Sequence, residues 1–466
     1  MTITADSLFD EVGASYEAAF ADNGPLCAFI HQASKKLPPN SRVLDVGCGT
    51  GKPVAEILVT AGHEVHGIDI SPGMVKTAAS QVRGQFEVAN MNTFQPCQLY
   101  DGVFAILSLF QLTPGELYSM IFRFAEWLNV GGHLALAVTP STGLLPEKCT
   151  YDPTWDCVWM IGKYWMGNHT NEVFRSEDAW ARLLQAAGLV LEIKPVDHLF
   201  CPAGHENYTS PEVQLFLLAR KVEPQALLGP YPIPIVETPT DCVDNLNILT
   251  DRFVSKELKS LSNKMAVNGR KVLVLGQGDN WSQYVGRGEL QFLPKTTDNL
   301  PFASDAFDVI FAPWTLDKLP SLNRAIKEMV RVARRKGSQL VILQGAPGNE
   351  AVMHLNAAAR SPQIRHQGQI LQEAAHELTE QGFGLISLER VRAHYEFPEE
   401  DLPTRCSVAA ECLAGMTHRQ HPNYKVIKHV LTARMKLHFQ GSAHAVGMDM
   451  VALVARSSDA ENCRSN

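Results

Sequence analysis

Residues 42–70, RVLDVGCGTGKPVAEILVTAGHEVHGIDI, decide the fold, because they spell a strand, a glycine loop, a helix and a second strand in that order. The run Val43, Leu44, Val46 is short, apolar and rich in β-branched residues, which suits a buried parallel strand. Asp45-Val46-Gly47-Cys48-Gly49-Thr50-Gly51 then sets three glycines at alternate positions, so a ligand can lie against bare backbone. The helix expected over Lys52–Ala61 starts no earlier than Pro53, since proline is tolerated only in the first turn. Val65–Ile70 follows as the second strand, carrying Asp69 near its end. An acid there, next to a glycine loop, is placed to hydrogen-bond ribose hydroxyls and points to a nucleoside ligand. The dinucleotide fingerprint G-x-G-x-x-G is not what is written; D-x-G-x-G-x-G puts an acid two residues before the first glycine, suited to an ammonium rather than a pyrophosphate.

This segment resembles motif I and the acidic second strand of class I S-adenosylmethionine (SAM) dependent methyltransferases. The resemblance implies a Rossmann-like α/β domain with a seven-stranded sheet. It implies that the loop cradles the methionine part of SAM and that the acid binds the ribose. Asp45, Gly47, Gly49, Gly51 and Asp69 take those roles, with Cys48 and Ile70 beside them; Cys48 reads as a packing residue. Met74 stands where the family packs an apolar side chain against adenine. Asn90 and Met91 stand at the end of the third strand, where the family usually carries an acid for the adenine amino group. Leu107 and Ser108, leaving the fourth strand, complete the cofactor contacts, and Tyr16 is the candidate to cover the SAM carboxylate. No metal is implied.

Composition bounds the rest. A chain of 466 residues has room for two or three domains, each able to bury a core. A net charge of -8 gives no basic footprint for nucleic acid. The first residues, MTITADSLFDEVG, lack the charge and apolar core of a leader, and no stretch reaches the roughly 18 apolar residues of a membrane span. The expectation is a cytoplasmic protein acting on a small molecule, without nucleic-acid or membrane partners. Ten cysteines are scattered with no C-x-x-C pair, against both a disulfide framework and a zinc site.

Along the chain, Leu8, Val12, Tyr16 and Phe20 recur every four residues and predict a helix over 7–20, followed by another over 26–36. Ser71 and Pro72 open the helix bearing Met74 as N-cap and first residue. Strand three is expected at 86–91 and strand four in 100–112, YDGVFAILSLFQL. Family members often carry a histidine near the end of that segment; here Gln111 can hold an acceptor but cannot deprotonate it. A helix at 114–128, a strand at 133–138, a helix at 179–188 and strands at 189–196 and 213–220 complete a first domain, 1–222. Between strands five and six, Tyr151–Phe174 packs three tryptophans and two tyrosines into 24 residues. The resemblance places an acceptor wall in this connection, so Trp155, Trp159, Tyr164, Trp165 and Asn171 are candidate substrate contacts. The same stretch also reads as core. His169 and His198 are the nearby histidines offered as bases.

Residues 223–241 hold the proline-rich run EPQALLGPYPIPIVETPT, five prolines in 18 residues, which reads as a semi-rigid linker. Residues 242–466 repeat the first half in outline. Lys271–Asn280 looks like motif I, and the stretches beginning at Asp298 and Glu328 resemble later core motifs of the family. Leu273 stands where the first loop has its acid, the third glycine has become Asn280, and 17 residues separate Asn280 from Asp298. That spacing leaves no room for a full helix, a second strand and a ribose acid. The expectation is a degenerate methyltransferase-like domain kept for architecture and homodimer contact, with a polar, disordered tail at 457–466. For the first domain the expected reaction is O-methylation of a small molecule, a carboxylate favoured because no histidine stands at Gln111. N- or C-methylation, a methyltransferase-like scaffold, and a SAM-fold enzyme without methyl transfer remain the alternatives.

Overall fold

A computed structural model describes residues 5–20, 22–142, 144, 148–152, 155–201, 211–222, 249–264, 269–276, 281–285, 288–293, 299–316, 319, 321–359, 367–417, 422–441 and 444–457. Its contacts divide the chain into two units, Met1–Pro230 and Tyr231–Asn466. The linker 223–241 and the tail beyond Ser457 lie outside the described residues.

The first unit runs α1 (Ala5–Phe20), α2 (Gly24–Ser34), β1 (Arg42–Val46), α3 (Val54–Thr60), β2 (Glu64–Asp69), α4 (Pro72–Gln81), β3 (Gln85–Val88) and β4 (Tyr100–Ile106). It continues with α5 (Pro114–Trp127), β5 (Leu128–Val138), β6 (Thr150–Asp152), β7 (Cys157–Trp165), β8 (Asn168–Phe174), α6 (Glu177–Ala186), β9 (Leu189–Leu191), β10 (Val196–Phe200) and β11 (Glu212–Lys221). The main sheet has the order β10-β11-β5-β4-β1-β2-β3, with β9 also on β11. Strands β3, β2, β1, β4 and β5 pair in parallel, while β11 is antiparallel to β5. Seven strands were expected and eight form, because the sixth position is broken into β9 and β10 around Pro195, which cannot donate to a ladder.

Local chemistry explains the element ends. Ser71 accepts from Met74 N at 3.0 Å to cap α4, and Thr113 and Glu116 form a reciprocal capping box at the start of α5. Helix α1 is broken at Gly13 (φ 46°, ψ −126°). The aromatic insertion is a three-stranded antiparallel sheet, β6-β7-β8, rather than an open loop.

The second unit has a six-stranded sheet in the order Glu289–Leu293, Lys271–Leu275, Val309–Pro313, Gln339–Gly345, Met450–Arg456, Leu385–Val391. This is the first unit's order without, among the described residues, a third strand. The spacing argument for the second half is corrected in part. One turn of helix, Ser282–Val285, is short enough that a parallel second strand, Glu289–Leu293, does fit. Register also moves the counterpart of Asp45: Asp45 pairs with Phe104 and Val274 pairs with Phe311, so the matching residue is Val274 rather than Leu273. Either is apolar. Between the last two strands of this unit, the helices Leu402–Thr417 and Tyr424–Gly441 pack on each other and into the core through Leu413, Leu431 and Met435.

Candidate functional site

The parallel strands of the first unit end together, and the loops that leave them build the site. Gly47 has φ 72°, and a Cβ there would lie 2.4 Å from Ser108 Cβ, so only glycine lets the turn after β4 approach the loop. Gly49, at φ 52°, has nothing within 4 Å of where its Cβ would be, leaving open space over the loop. Gly47 N and Cys48 N both donate to Ile68 O, at 2.8 and 3.0 Å, and Gly49 N donates to Asp69 Oδ2 at 2.9 Å. Asp69 Oδ1 accepts from Ser71 N at 2.9 Å. Burial raises the Asp69 carboxyl, although the N–H groups of Ser71, Gly49 and Ile70 oppose the shift.

Asp45 is fully enclosed and its Oδ2 has no hydrogen-bond partner. Burial, with Asp69 nearby, pushes its carboxyl up to about 8. Ser108 Oγ and Gln111 Nε2 are likewise buried without partners. Unpaired polar atoms at such depth cost about 1–3 kcal/mol each unless something binds them. A cradle of bare backbone, a buried acid and a strand-end acid fit the methionine and ribose parts of SAM. Leu107, leaving β4, sits in the left-handed region (φ 54°) with its N–H on Ala137 O at 2.8 Å. A leucine held there is strained by about 1–2 kcal/mol, a cost met where strand ends are shaped for a ligand.

Beside the loop lies a small, partly open cavity lined by Tyr16, Phe20, Leu107, Phe110, Thr139, Lys163, Trp165, Glu172 and Glu212. Its aromatic side is one cluster: Tyr16 stacks on Phe20 at 4.7 Å, and Trp165 lies 6.1 Å from Tyr16 and 6.0 Å from Phe110. Val173 N donates to Phe110 O at 3.0 Å, fixing the small sheet against the turn after β4. Burial, then Glu212 and Asp69, raises the Tyr16 phenol. Helix α1 is tied down on both sides of Gly13. Asp10 accepts from Ser71 Oγ and Gly73 N; Glu17 accepts from Gln81 Nε2 at 3.0 Å and pairs with Lys52 at 3.7 Å.

The candidate residues divide sharply. Tyr16, Leu107 and Trp165 line the cavity, and Ser108 and Gln111 flank it in sequence. Met74 is buried under α4. Cys48 is buried and its thiol is raised by burial and by Asp45 and Asp69, so it stays protonated. Ile70 and Met91 are half-buried, while Asn90 is exposed and spends Oδ1 on Asn92 N at 2.9 Å. Trp155 and Trp159 are buried away from the cavity lining, Trp155 packing at 5.6 Å from Tyr118, and so belong to the core. Tyr164, His169 and Asn171 are corrected: strand alternation turns them to the face opposite Lys163, Trp165 and Glu172. Tyr164 is 48% exposed, and His169 is exposed with Nδ1 3.1 Å from Gly162 O. His198 is also corrected as a base, since it lies within β10 at the sheet edge, opposite Gln214, and does not line the cavity.

Lys163, Glu172, Glu212 and Asp10 escaped the sequence reading. A signal existed: K-x-W at 163–165 and T-x-E-x-F at 170–174 alternate, and once these stretches are strands, alternation puts the charges and Trp165 on one face. Among the described residues, no group of three or more His, Cys, Asp or Glu is placed to hold a metal ion, and no helix is long and apolar enough to cross a membrane.

Comparison with known proteins finds methyltransferase domains in both halves of the chain. One methyltransferase-domain family model matches residues 43–132 and a second matches 274–341. Methyltransferase-like protein 27 of Homo sapiens is 30% identical over 138 residues, covering 29% of this chain and 56% of that protein. O-methyltransferase resE of Aspergillus sclerotiorum is 34% identical over 104 residues, covering 20% of this chain and 38% of that protein. A SAM-dependent methyltransferase from Clostridium acetobutylicum ATCC 824 aligns with a TM-score of 0.32 and 14% identity, over 42% of this chain and 91% of that one. The chain thus spans 56% and 38% of the two curated relatives' lengths. With the loop, the acid and the strand order in place, the chain carries two methyltransferase-domain matches in tandem, one in each unit, and S-adenosylmethionine is the cofactor of that class.

Proposed function

We propose that the first domain methylates an oxygen atom of a small molecule held in the aromatic cavity. The observation that carries this reading is the position of that cavity, which shares Leu107 with the turn packed on the glycine loop. The loop backbone from Gly47 to Gly51, Asp45 and Asp69 would hold SAM, with Ser108 and Met74 beside them. Bound there, SAM supplies an electrophilic methyl group on a sulfonium, a good leaving group that asks for alignment and dryness more than for acid catalysis. The protein would supply both: Trp165, Phe110 and Phe20 give the cavity apolar walls, and Tyr16 lines it beside them.

Oxygen is favoured by the relative whose printed name is an O-methyltransferase. The choice of oxygen rests on charge. Lys163 by itself would suit a carboxylate acceptor, the class suggested by Gln111. Yet Lys163 already bridges Glu172 and Glu212, so the cavity holds more negative than positive charge, and a hydroxyl is the acceptor we favour. The second domain we assign an architectural role, including a homodimer contact that sedimentation of the full chain would test.

The test is incubation of the full chain with SAM and a panel of small hydroxyl, carboxyl and amino compounds, followed by mass spectrometry. The expected products are methyl ethers, stable to mild base, with one S-adenosylhomocysteine per methyl transferred. Base-labile esters would return the reading to a carboxylate. SAM bound without any S-adenosylhomocysteine formed would overturn methyl transfer in favour of a scaffold.

A further inference from the structure

We propose that Glu212 receives the acceptor's proton, and that the acceptor is an uncharged hydroxyl compound with a flat apolar body. This rests on reading the cavity as the acceptor site. The residues form one chain of contacts. Lys163 Nζ donates to Glu172 Oε2 at 2.8 Å and to Glu212 Oε1 at 2.5 Å. Thr170 Oγ1 donates to Glu172 Oε1 at 2.9 Å. Both oxygens of Glu172 are therefore engaged, and its side chain is only 3% exposed. Glu212 differs on both counts. Lys163 is its one hydrogen-bond partner among the described residues, it lines the cavity, and its side chain keeps 17% exposure. Its second oxygen is the acceptor that the cluster leaves available, and solvent is near enough to carry a proton away.

The same contacts exclude other acceptors. Lys163 is shared by two carboxylates and lies 5.5 Å from the Phe174 ring centre, so little of the ammonium is left for an incoming anion. A carboxylate acceptor would also meet Glu212 directly, a like charge at close range. A protonated amine would be attracted but has no lone pair until it loses a proton, and a carboxylate is too weak a base to take it beforehand. A hydroxyl can donate its hydrogen to Glu212 while keeping a lone pair for bond formation. As that lone pair bonds to the methyl carbon, the carbon–sulfur pair stays with sulfur. The oxygen becomes acidic at that moment, and its proton passes to Glu212 and then to water. Lys163 and Glu172 are positioning residues: they hold the Glu212 carboxylate in place through the shared ammonium. Phe20, Phe110 and Trp165 line the same cavity and would contact the apolar body of the molecule.

The experiment uses the full chain, with and without S-adenosylhomocysteine, and three probes of one shape: naphthol, naphthoate and naphthylmethylamine. Calorimetry should show naphthol binding at least about tenfold more tightly than naphthoate, the worth of one uncompensated like charge. In Glu212→Gln that discrimination should close, with S-adenosylhomocysteine affinity unchanged. With SAM, methylation of naphthol by Glu212→Gln should fall about 100-fold in kcat and little in KM, the usual weight of a lost general base. Naphthoate binding as tightly as naphthol, or none of the probes binding, overturns the acceptor class. Wild-type kcat in a folded Glu212→Gln overturns the proton path. Wild-type discrimination is read without any variant, so a misfolded Glu212→Gln does not shelter the proposal. Failure of S-adenosylhomocysteine to bind would strike the cofactor reading alone, because the probes are also measured without it.

Discussion

Set side by side, the two domains repeat one turn in detail and differ in what they bury behind it. In the first, Leu107 (φ 54°) donates to Ala137 O at 2.8 Å and brings Ser108 against Gly47. In the second, Trp314 (φ 50°) donates to Leu343 O at 2.8 Å and brings Thr315 to 2.7 Å from where a Cβ of Gly276 would stand. Each also pins the chain ahead of its next helix with an arginine: Arg123 donates to Phe94 O, and Arg331 to Phe302 O. The backbone plan is thus kept by packing alone. Ligand chemistry is not: Val274 replaces Asp45, and Trp281 packs against Phe311 at 5.4 Å beside it. Fold and site depend on different residues, so the one can repeat while the residues of the other change.

The largest effect should come from the shared turn. Gly47→Ala and Gly276→Ala each add a Cβ at positive φ into a close contact, a cost of about 2–5 kcal/mol from strain and overpacking. Both should lower a thermal transition, but only Gly47→Ala should abolish SAM binding. Equal loss of SAM in the two variants would break the contrast between the domains.

Next is Asp69→Ala, which removes a charged acceptor and should weaken SAM by roughly 1.5–3 kcal/mol. Calorimetry on the full chain should give one SAM per chain before the change. A second site, surviving in the variant, would show that the second domain binds cofactor too.

Asp45 sharpens the comparison through pH. Its carboxyl titrates higher in the fold than the ordinary 3.8, so it stabilises the unliganded protein while protonated. That contribution should fade as pH rises from about 4 to about 8, and Asp45→Asn should flatten the stability profile over that window. SAM, a cation, should bind more tightly as the pH passes 8 in wild type and not in the variant. Val274 gives the second domain no counterpart, so a matching pH dependence of its own unfolding transition would count against the comparison.

The smallest effect is expected from Tyr164→Ala and His169→Ala, on the outer face of β7 and β8, within about 0.5 kcal/mol in stability and with little change in turnover. A large loss of turnover would restore them to the acceptor wall.

How far the sequence could be read follows from range. Gly47, Gly49, Gly51 and Asp69 were legible because their roles are local: a positive φ and a strand end are set within a few residues. The arrangement of β6 to β8 was not legible, because an aromatic-rich stretch satisfies core and pocket equally until its pairing is known. Strand pairing then decided every residue at once. One face took Lys163, Trp165 and Glu172; the other took Tyr164, His169 and Asn171. Glu212 meets Lys163 across 49 positions, a contact no spacing rule anticipates. In the second domain the 17-residue gap misled because a helix can shrink to one turn.

The break in α1 at Gly13 separates two holds on one helix. Asp10, ahead of the break, grips the start of α4, whereas Tyr16 and Glu17, behind it, lie over the cavity and the glycine loop. An unbroken helix would tie the two ends into one rod, so that a shift at either would be felt at both. Divided at Gly13, the rear segment takes its own direction and is held by contacts of its own, among them those of Glu17 and the stacking of Phe20 on Tyr16 and Phe200. The hold at Asp10 is thereby separate from the contacts that set Tyr16 at the cavity, so a substitution at one end of the helix need not displace the other.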